Sequence, residues 1–443
     1  MEQSKSQVTS VVISKDDSPK ECVFKGIEKL RGITNYIKDG DQVFIKFNLT
    51  LPQGFPANTN MDTLEAIIDS CHKAGAKKIY VGSYPLKGLS IKSISDLIGL
   101  NSYFLKIGAE LVFLDYSNYY FLKNIKKKDL NIIKIQNFSQ IKVNNEKFEV
   151  HKIILNADKF ISVNQVNVDP IFKLRLSLLN SYSLSINKSQ SNVLKSKNVK
   201  DLMQNVINAF TIRKPDLVIN DLFYILEGAG PYIYKDSKLK KTGLMVIGDD
   251  AIAVDIITST ILSYDVDQNL LLREARNRKL GIFDISKIQV IGENLNEIKI
   301  NIQECVSKLE DILLPNFSIK TGNISVGDFE QAYHFLNLLK THMIKDIKYI
   351  SKTSFLVGDN PPMPEDLSNV IIFGDAAIKS TKLKKNKNIL KLPGNPPNIF
   401  DCIDLLIEFY KKRNVPSLYL FRNLVKSYRN KKINQKLQIW EGL

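Results

Sequence analysis

Absences narrow the chemistry of this sequence before any motif does. Its 443 residues hold no uninterrupted apolar run near the roughly 18 residues that a bilayer span requires. The nearest runs, Val370–Ile378 and Leu418–Val425, are short and carry Asp375 and Arg422. The first residues lack the apolar centre of a signal peptide, so the expected location is the cytoplasm, with no membrane contact. The four cysteines (Cys22, Cys71, Cys305, Cys402) are far apart and form no C-x-x-C pair. Such spacing argues against a disulfide scaffold and against sequence-local zinc or iron–sulfur ligation. Cys71 and His72 are adjacent, but helix neighbours diverge by about 100° and do not readily share an ion. No metal site is expected.

Nucleic-acid motifs are missing as well: no zinc finger, helix-turn-helix or RNA-binding aromatic pattern accompanies the net charge of +16. The basic residues are scattered in a chain rich in Lys, Asn and Ile, and thicken only over residues 379–391 and 411–436. A basic C-terminal face that meets a protein or another anionic partner is the expectation, and nucleic-acid binding is the lesser alternative.

A hydrophobic content of 44% and a charged content of 24% are those of a globular chain, and this length calls for more than one core. Thr9–Ile13 reads as a strand, and Ser18 with Glu21 as a capping box for a helix to about Leu30. Then come a strand Val43–Phe47, a loop with Pro52, Gly54 and Pro56, a helix Met61–Ala74, Gly75, and a strand Lys78–Val81. That is the βαβ pattern of a parallel sheet, which binds ligands at the carboxyl ends of its strands. Lys46 and Asn48 stand two apart after one strand, and Ser83 follows the next. The three can hold a carboxylate or phosphate, or form only a structural turn. Further on, Ala109–Leu114, Asn131–Ile135, Lys159–Val163 and Asp216–Asn220 read as strands, Lys123–Lys128 as a solvated turn, and Asn198–Phe210 as a helix.

The most informative stretch is acidic and punctuated by glycine. Asp221 ends a strand, Glu227-Gly228-Ala229-Gly230-Pro231 follows, and Asp249, Asp250 and Asp255 flank the start of an apolar helix. Gly228 and Gly230 let the backbone approach a ligand and offer its N–H groups. One of Asp249 and Asp250 is explained as a helix cap. Convergence of Asp221, Glu227 and Asp255 would suit a hard cation, a cationic ligand or acid–base work. Beyond Glu293 a second domain is expected from about residue 310. It has a helix Asp328–Lys340, strands Ser354–Val357, Asn369–Phe373 and Asn388–Lys391, and helices Ile399–Tyr410 and Pro416–Tyr428; Trp440 would pin the tail.

In order along the chain, Ile45-Lys46-Phe47-Asn48, Gly75 to Pro85, Pro215 to Asp221, Glu227 to Pro231, Asp250 to Asp255, Gly281 and Gly292-Glu293 resemble the domain of unknown function 362 family. Gly374 to Ile378 and Gly394 to Pro397 resemble the C-terminal extension of its archaeal-type members. The strand–helix pattern with this resemblance leads to the expectation of an α/β fold of mostly parallel sheet layers with helices on both faces over residues 8–300, and a smaller α/β domain over 310–443 with a basic helical tail. The resemblance also implies an association with iron–sulfur clusters and redox work. This chain departs from the pattern. Asn167-Val168-Asp169 stands where a Lys-Thr-His triplet is expected, Leu179-Asn180 replaces a Lys-Asn pair, and Ala376 and Asn395 replace cysteines. Lys340-Thr341-His342 lies on a helical stretch of the second domain and reads as coincidence. No cluster or other cofactor is therefore expected. The expected role is binding of a small ligand or cation through Lys46, Asn48, Ser83, Asp221, Glu227, Gly228, Gly230, Asp250 and Asp255, with a redox link implied by the family. A non-catalytic paralogue serving as subunit or scaffold is the rival.

Overall fold

The computed structural model describes residues 8–86, 89–115, 137–186, 193–365, 368–383 and 388–429. The main sheet has eight strands: β1 (Thr9–Lys15), β2 (Gln42–Lys46), β3 (Lys78–Ser83), β4 (Glu110–Phe113), β5 (Lys159–Gln165), β6 (Leu217–Asp221), β7 (Leu244–Gly248) and β8 (Ile288–Gly292). They lie in the order β8-β1-β7-β6-β5-β2-β3-β4. All neighbours are parallel except those of β7, which runs against β1 and β6.

The central strands are apolar along their length because both faces are covered. Val43, Phe44 and Ile45 of β2 and Leu217, Val218 and Ile219 of β6 are all fully buried. One face carries helices Pro19–Lys29 and Met61–Lys73. The other carries helices Val199–Ile212 and Ala251–Ile261, with a hairpin of Phe138–Val143 and Glu146–His151. Phe44, Tyr80 and Phe160 pack there against Phe148 and Ala209. Helix Met61–Lys73 begins at Asn60, whose side chain accepts from Asp62 N, and the chain leaves it through Gly75 at φ +86°. The strand sequence steps from β2 through β3 to β4 toward one edge, and from β5 through β6 to β7 toward the other. The reversal lies between β2 and β5, where an open α/β sheet offers its ligand crevice at the carboxyl ends.

The C-terminal layer is a parallel sheet of β9 (Phe317–Thr321), β10 (Thr353–Val357), β11 (Asn369–Phe373) and β12 (Ile389–Leu392), in that order. Helix Val326–His342 links β9 to β10 and docks on the main sheet's loops. Tyr333 OH donates to Gly230 O at 3.1 Å, Tyr234 OH pairs with His334 Nδ1 at 2.8 Å, and Lys235 N donates to Thr341 Oγ1 at 2.9 Å. Lys340 pairs with Asp236, and His342 stacks on Phe421, so the Lys-Thr-His of this helix serves packing.

The α/β architecture expected from the sequence is present, with some local differences. Ser18 makes no side-chain cap, because Pro19 takes the first helical position and Asp16 Oδ1 accepts from Ser18 N instead. The antiparallel β7, the hairpin over 138–151 and β9 were not anticipated; short polar-flanked runs carry too little periodicity to separate strand from loop. Asn131–Ile135, Lys123–Lys128 and Trp440 lie outside the described residues.

Gly230 tests how tightly the docking turn is built. A Cβ there would come within 2.4 Å of Val168 O, a backbone atom that cannot swing aside. Gly230→Ala is expected to lose about 1–3 kcal/mol in urea unfolding; an unchanged midpoint would show that the turn yields freely.

Candidate functional site

Lys46 ends β2 at the sheet's reversal point and is 1% exposed. Its Nζ donates to Asn180 Oδ1 at 2.6 Å, a neutral acceptor. Among the described residues no carboxylate lies within ion-pair distance of it. Burial, followed by the positive charge of Arg175, pushes Lys46 down to about 7. Asn48 stands beside it. Its Nδ2 also donates to Asn180 Oδ1 at 3.0 Å, and its Oδ1 accepts from Gln165 N at 2.8 Å, clasping the ends of β2 and β5.

From Asn180 a chain of buried side chains crosses beneath the sheet. Asn180 Nδ2 donates to Ser162 Oγ at 3.0 Å, and Ser162 Oγ donates to Asn164 Oδ1 at 2.9 Å. Asn164 Nδ2 donates to Asn220 Oδ1 at 2.9 Å, and Asn220 Nδ2 to Asp255 Oδ1 at 2.9 Å. The strand register explains the alignment, since Lys46 lies opposite Ser162 and Asn164 opposite Asn220. Asp255 ends the chain and holds the short helix Ser177–Asn180, accepting from Ser177 N and Leu178 N at 3.0 Å each. Burial raises Asp255 to about 6.

The other predicted residues are dispersed. Successive strand residues face opposite sides, so Asp221 points away from Asn220. It accepts from Thr63 Oγ1 at 2.8 Å and Phe223 N at 2.9 Å, and burial raises it to about 6. Ser83 Oγ accepts from Leu49 N at 2.8 Å and pins the loop after β2. Glu227 lies on the ribbon of Tyr224–Glu227 and Lys238–Lys241, where it pairs with Lys240 at 3.1 Å and accepts from Gln303 N. Gly228 N donates to Gln303 O, while Gly230 O accepts from Tyr333 OH, so this turn carries contacts to residue 303 and to helix Val326–His342. Asp250 caps helix Ala251–Ile261, accepting from Ile252 N and Ala253 N, and Asp249 accepts from Thr9 Oγ1 at 3.0 Å. The structure thus joins Lys46, Asn48 and Asp255 in one network and leaves Asp221, Glu227 and Asp250 outside it.

A cavity of about 220 Å³ opens at the reversal point, lined by Asn48, Gln165 and Asn180 together with apolar side chains. Glu330 and Pro396 of the C-terminal layer complete it. Arg175 stands in its wall. Asp169 Oδ1 accepts from Ile171 N and Phe172 N, and its Oδ2 accepts from Arg175 Nε at 3.1 Å. The guanidinium lies 5.3 Å from the Tyr232 ring. Among the described residues its two Nη groups have no hydrogen-bond partner. Sequence reasoning missed Gln165, Asn180 and Asn220 as site residues because neutral amides carry no charge signature, and Arg175 because a single arginine outside any motif does not stand out among scattered basic residues. The cue for the amides was recurrence at the ends of elements: Asn164-Gln165 and Asn220 on strands, and Asn180 on a short helix.

Thiolate ligation does not fit this arrangement. Cys22 donates to Ser14 O and Gly243 O, and Cys305 lies near Gly230 O, on separate parts of the fold. Burial pushes all four thiols up to about 12. Among the described residues no group of three or more His, Cys, Asp or Glu is placed to hold a metal ion, and no helix is long and apolar enough to cross a membrane.

Fold and site together define an open-sheet α/β protein with an amide-rich crevice at its strand reversal. Residues 43–260 match the family profile described as Domain of unknown function (DUF362). The matched region holds Lys46, Asn48, Arg175, Asn180 and Asp255. A search of curated proteins gave no match.

Two measurements follow from this geometry. An amine whose folded-state value is lowered binds fewer protons than the unfolded chain between about pH 7 and its model value of 10.5. Stability should therefore rise with pH across that window, by up to about 1.4 kcal/mol per unit. Lys46→Met should flatten this part of the pH–stability curve; an unaltered slope would mean that Lys46 is ionised in the folded protein. Asp255→Ala leaves three buried donors unpaired and should cost about 3 kcal/mol or more in chemical unfolding, with Asp255→Asn milder. Equal losses in the two variants would show that the acceptor oxygen is not what matters.

Proposed function

We propose that this protein binds a small ligand with a carboxylate head and an apolar body in the crevice between the main sheet and helix Val326–His342. The observation that carries this reading is Arg175. Its Nε is fixed by Asp169, its guanidinium carbon lies 5.3 Å from the Tyr232 ring, its Nη groups have no hydrogen-bond partner among the described residues, and Arg175 lines the cavity. A planar fork held in this way suits bidentate carboxylate recognition. Lys46 lies behind Asn48 and Asn180, and Phe172, Leu176 and Leu179 supply apolar wall. The reading moves the ligand from the acidic, glycine-rich segment to the basic and amide side of the reversal point. It treats residues 8–300 and 310–443 as two domains that share the crevice. A redox link is carried over from the family resemblance and has no thiol site to support it.

The test is a thermal-shift and calorimetric panel of aliphatic and aryl carboxylates beside their amides. The acids should stabilise the protein and the amides should not. Arg175→Gln should weaken acid binding by about 10- to 100-fold, the worth of a charge-assisted contact. If acids and amides bind alike, or neither binds, the carboxylate reading falls and the subunit or scaffold alternative takes its place.

A further inference from the structure

The geometry points to Lys46 as an amine that condenses with the carbonyl of an α-oxo carboxylate held by Arg175. This inference rests on the carboxylate-binding reading and adds a substrate class and a covalent step. Imine formation needs a neutral amine kept from water and from carboxylates, placed beside an anchor for the ligand's own charge. Lys46 meets those conditions. It is enclosed at the end of β2, its Nζ has only an amide oxygen as partner, and no carboxylate lies within ion-pair distance among the described residues. A desolvated lysine near a second cation is a recognised route to a nucleophilic amine at neutral pH, and the lowered proton affinity of Lys46 agrees with it.

Lys46 Nζ sits one hydrogen bond behind the cavity wall, against the Asn180 and Asn48 amides that line it. The terminal torsion of an Asn side chain is soft, so a turn of the Asn180 amide frees Nζ toward the crevice. An α-oxo acid held by its carboxylate on Arg175 would have its carbonyl in the cavity that Asn48 and Asn180 also line. The nitrogen lone pair then attacks the carbonyl carbon, and the C=O π pair moves to oxygen. A proton passes from nitrogen to that oxygen to give a carbinolamine. Loss of the hydroxyl group with the remaining nitrogen proton, as one water, leaves the C=N bond. Amine plus carbonyl gives imine plus water, and no oxidant or reductant takes part. The surrounding amides hydrogen-bond both partners without competing as nucleophiles.

The test uses phenylpyruvate as the probe and phenyllactate as its carbonyl-free counterpart, with cyanoborohydride to reduce any imine to a stable secondary amine. Intact-mass analysis and peptide mapping should place the adduct on Lys46. Phenyllactate should suppress the adduct by competition, and the adduct should be lost in Lys46→Arg. If that variant does not fold, the peptide map and the competition on the wild-type protein decide alone. Stabilisation by both acids without an adduct on Lys46, or with label only on surface lysines, overturns this inference and leaves the carboxylate pocket standing. Failure of both acids to stabilise the protein removes the pocket reading as well.

Discussion

A lysine that is sealed into a protein must be given an acceptor, and here the acceptor comes through five other side chains. Every donor between Asn180 and Asp255 points toward the carboxylate, so every acceptor faces the lysine. Asp255 accepts only from donors, which turns Asn220 with its amide nitrogen inward and its oxygen outward, and the same choice passes along Asn164, Ser162 and Asn180. A chain polarised in one direction is stronger than its separate links. It also ties the carboxyl ends of β2, β5 and β6 to helices Ser177–Asn180 and Ala251–Ile261. Chemistry and architecture at the reversal point therefore share one set of bonds.

That arrangement explains how a buried lysine and a buried carboxylate are both accommodated without an ion pair. The amides between Lys46 and Asp255 spread the interaction over several dipoles, and the backbone N–H groups of Ser177 and Leu178 bind the carboxylate directly. Burial still raises Asp255 and lowers Lys46, so both are held where a proton is readily exchanged near neutrality. Asp221, on the opposite face, has only Thr63 and the Phe223 N–H, and no such chain leads from it. Its likeness to Asp255 in burial does not extend to a place in the amide chain.

Much of the fold was legible in the sequence because parallel strands, glycine ends and helix periodicity are local signals. Val43–Phe47, Gly75 and Lys78–Val81 announced the βαβ unit, and the structure forms β2, a helix with Gly75 past its end, and β3 there. The site was legible only in part. Lys46 and Asn48 stood out by their position after a strand, and the acidic run drew attention because carboxylates announce charge. Which face each carboxylate takes depends on strand register, and one residue of offset separates Asn220 from Asp221. Register is set by distant partners in β5 and β7, which no window of local sequence contains.

The departures from the family pattern gain a physical account from the same geometry. Where Lys-Thr-His is expected, Asn167 donates to Pro56 O at 2.7 Å and accepts from Leu226 N at 2.8 Å, so it ties loops together. Asp169, at the last position of that triplet, organises the turn that presents Arg175. The crevice thereby keeps a cation near the reversal point although the expected Lys and His are gone. An arginine held by Asp169 and Tyr232 cannot shuttle a proton at neutral pH as histidine can. It can grip a carboxylate, and proton exchange near neutrality is left to Lys46 and Asp255 at the two ends of the amide chain.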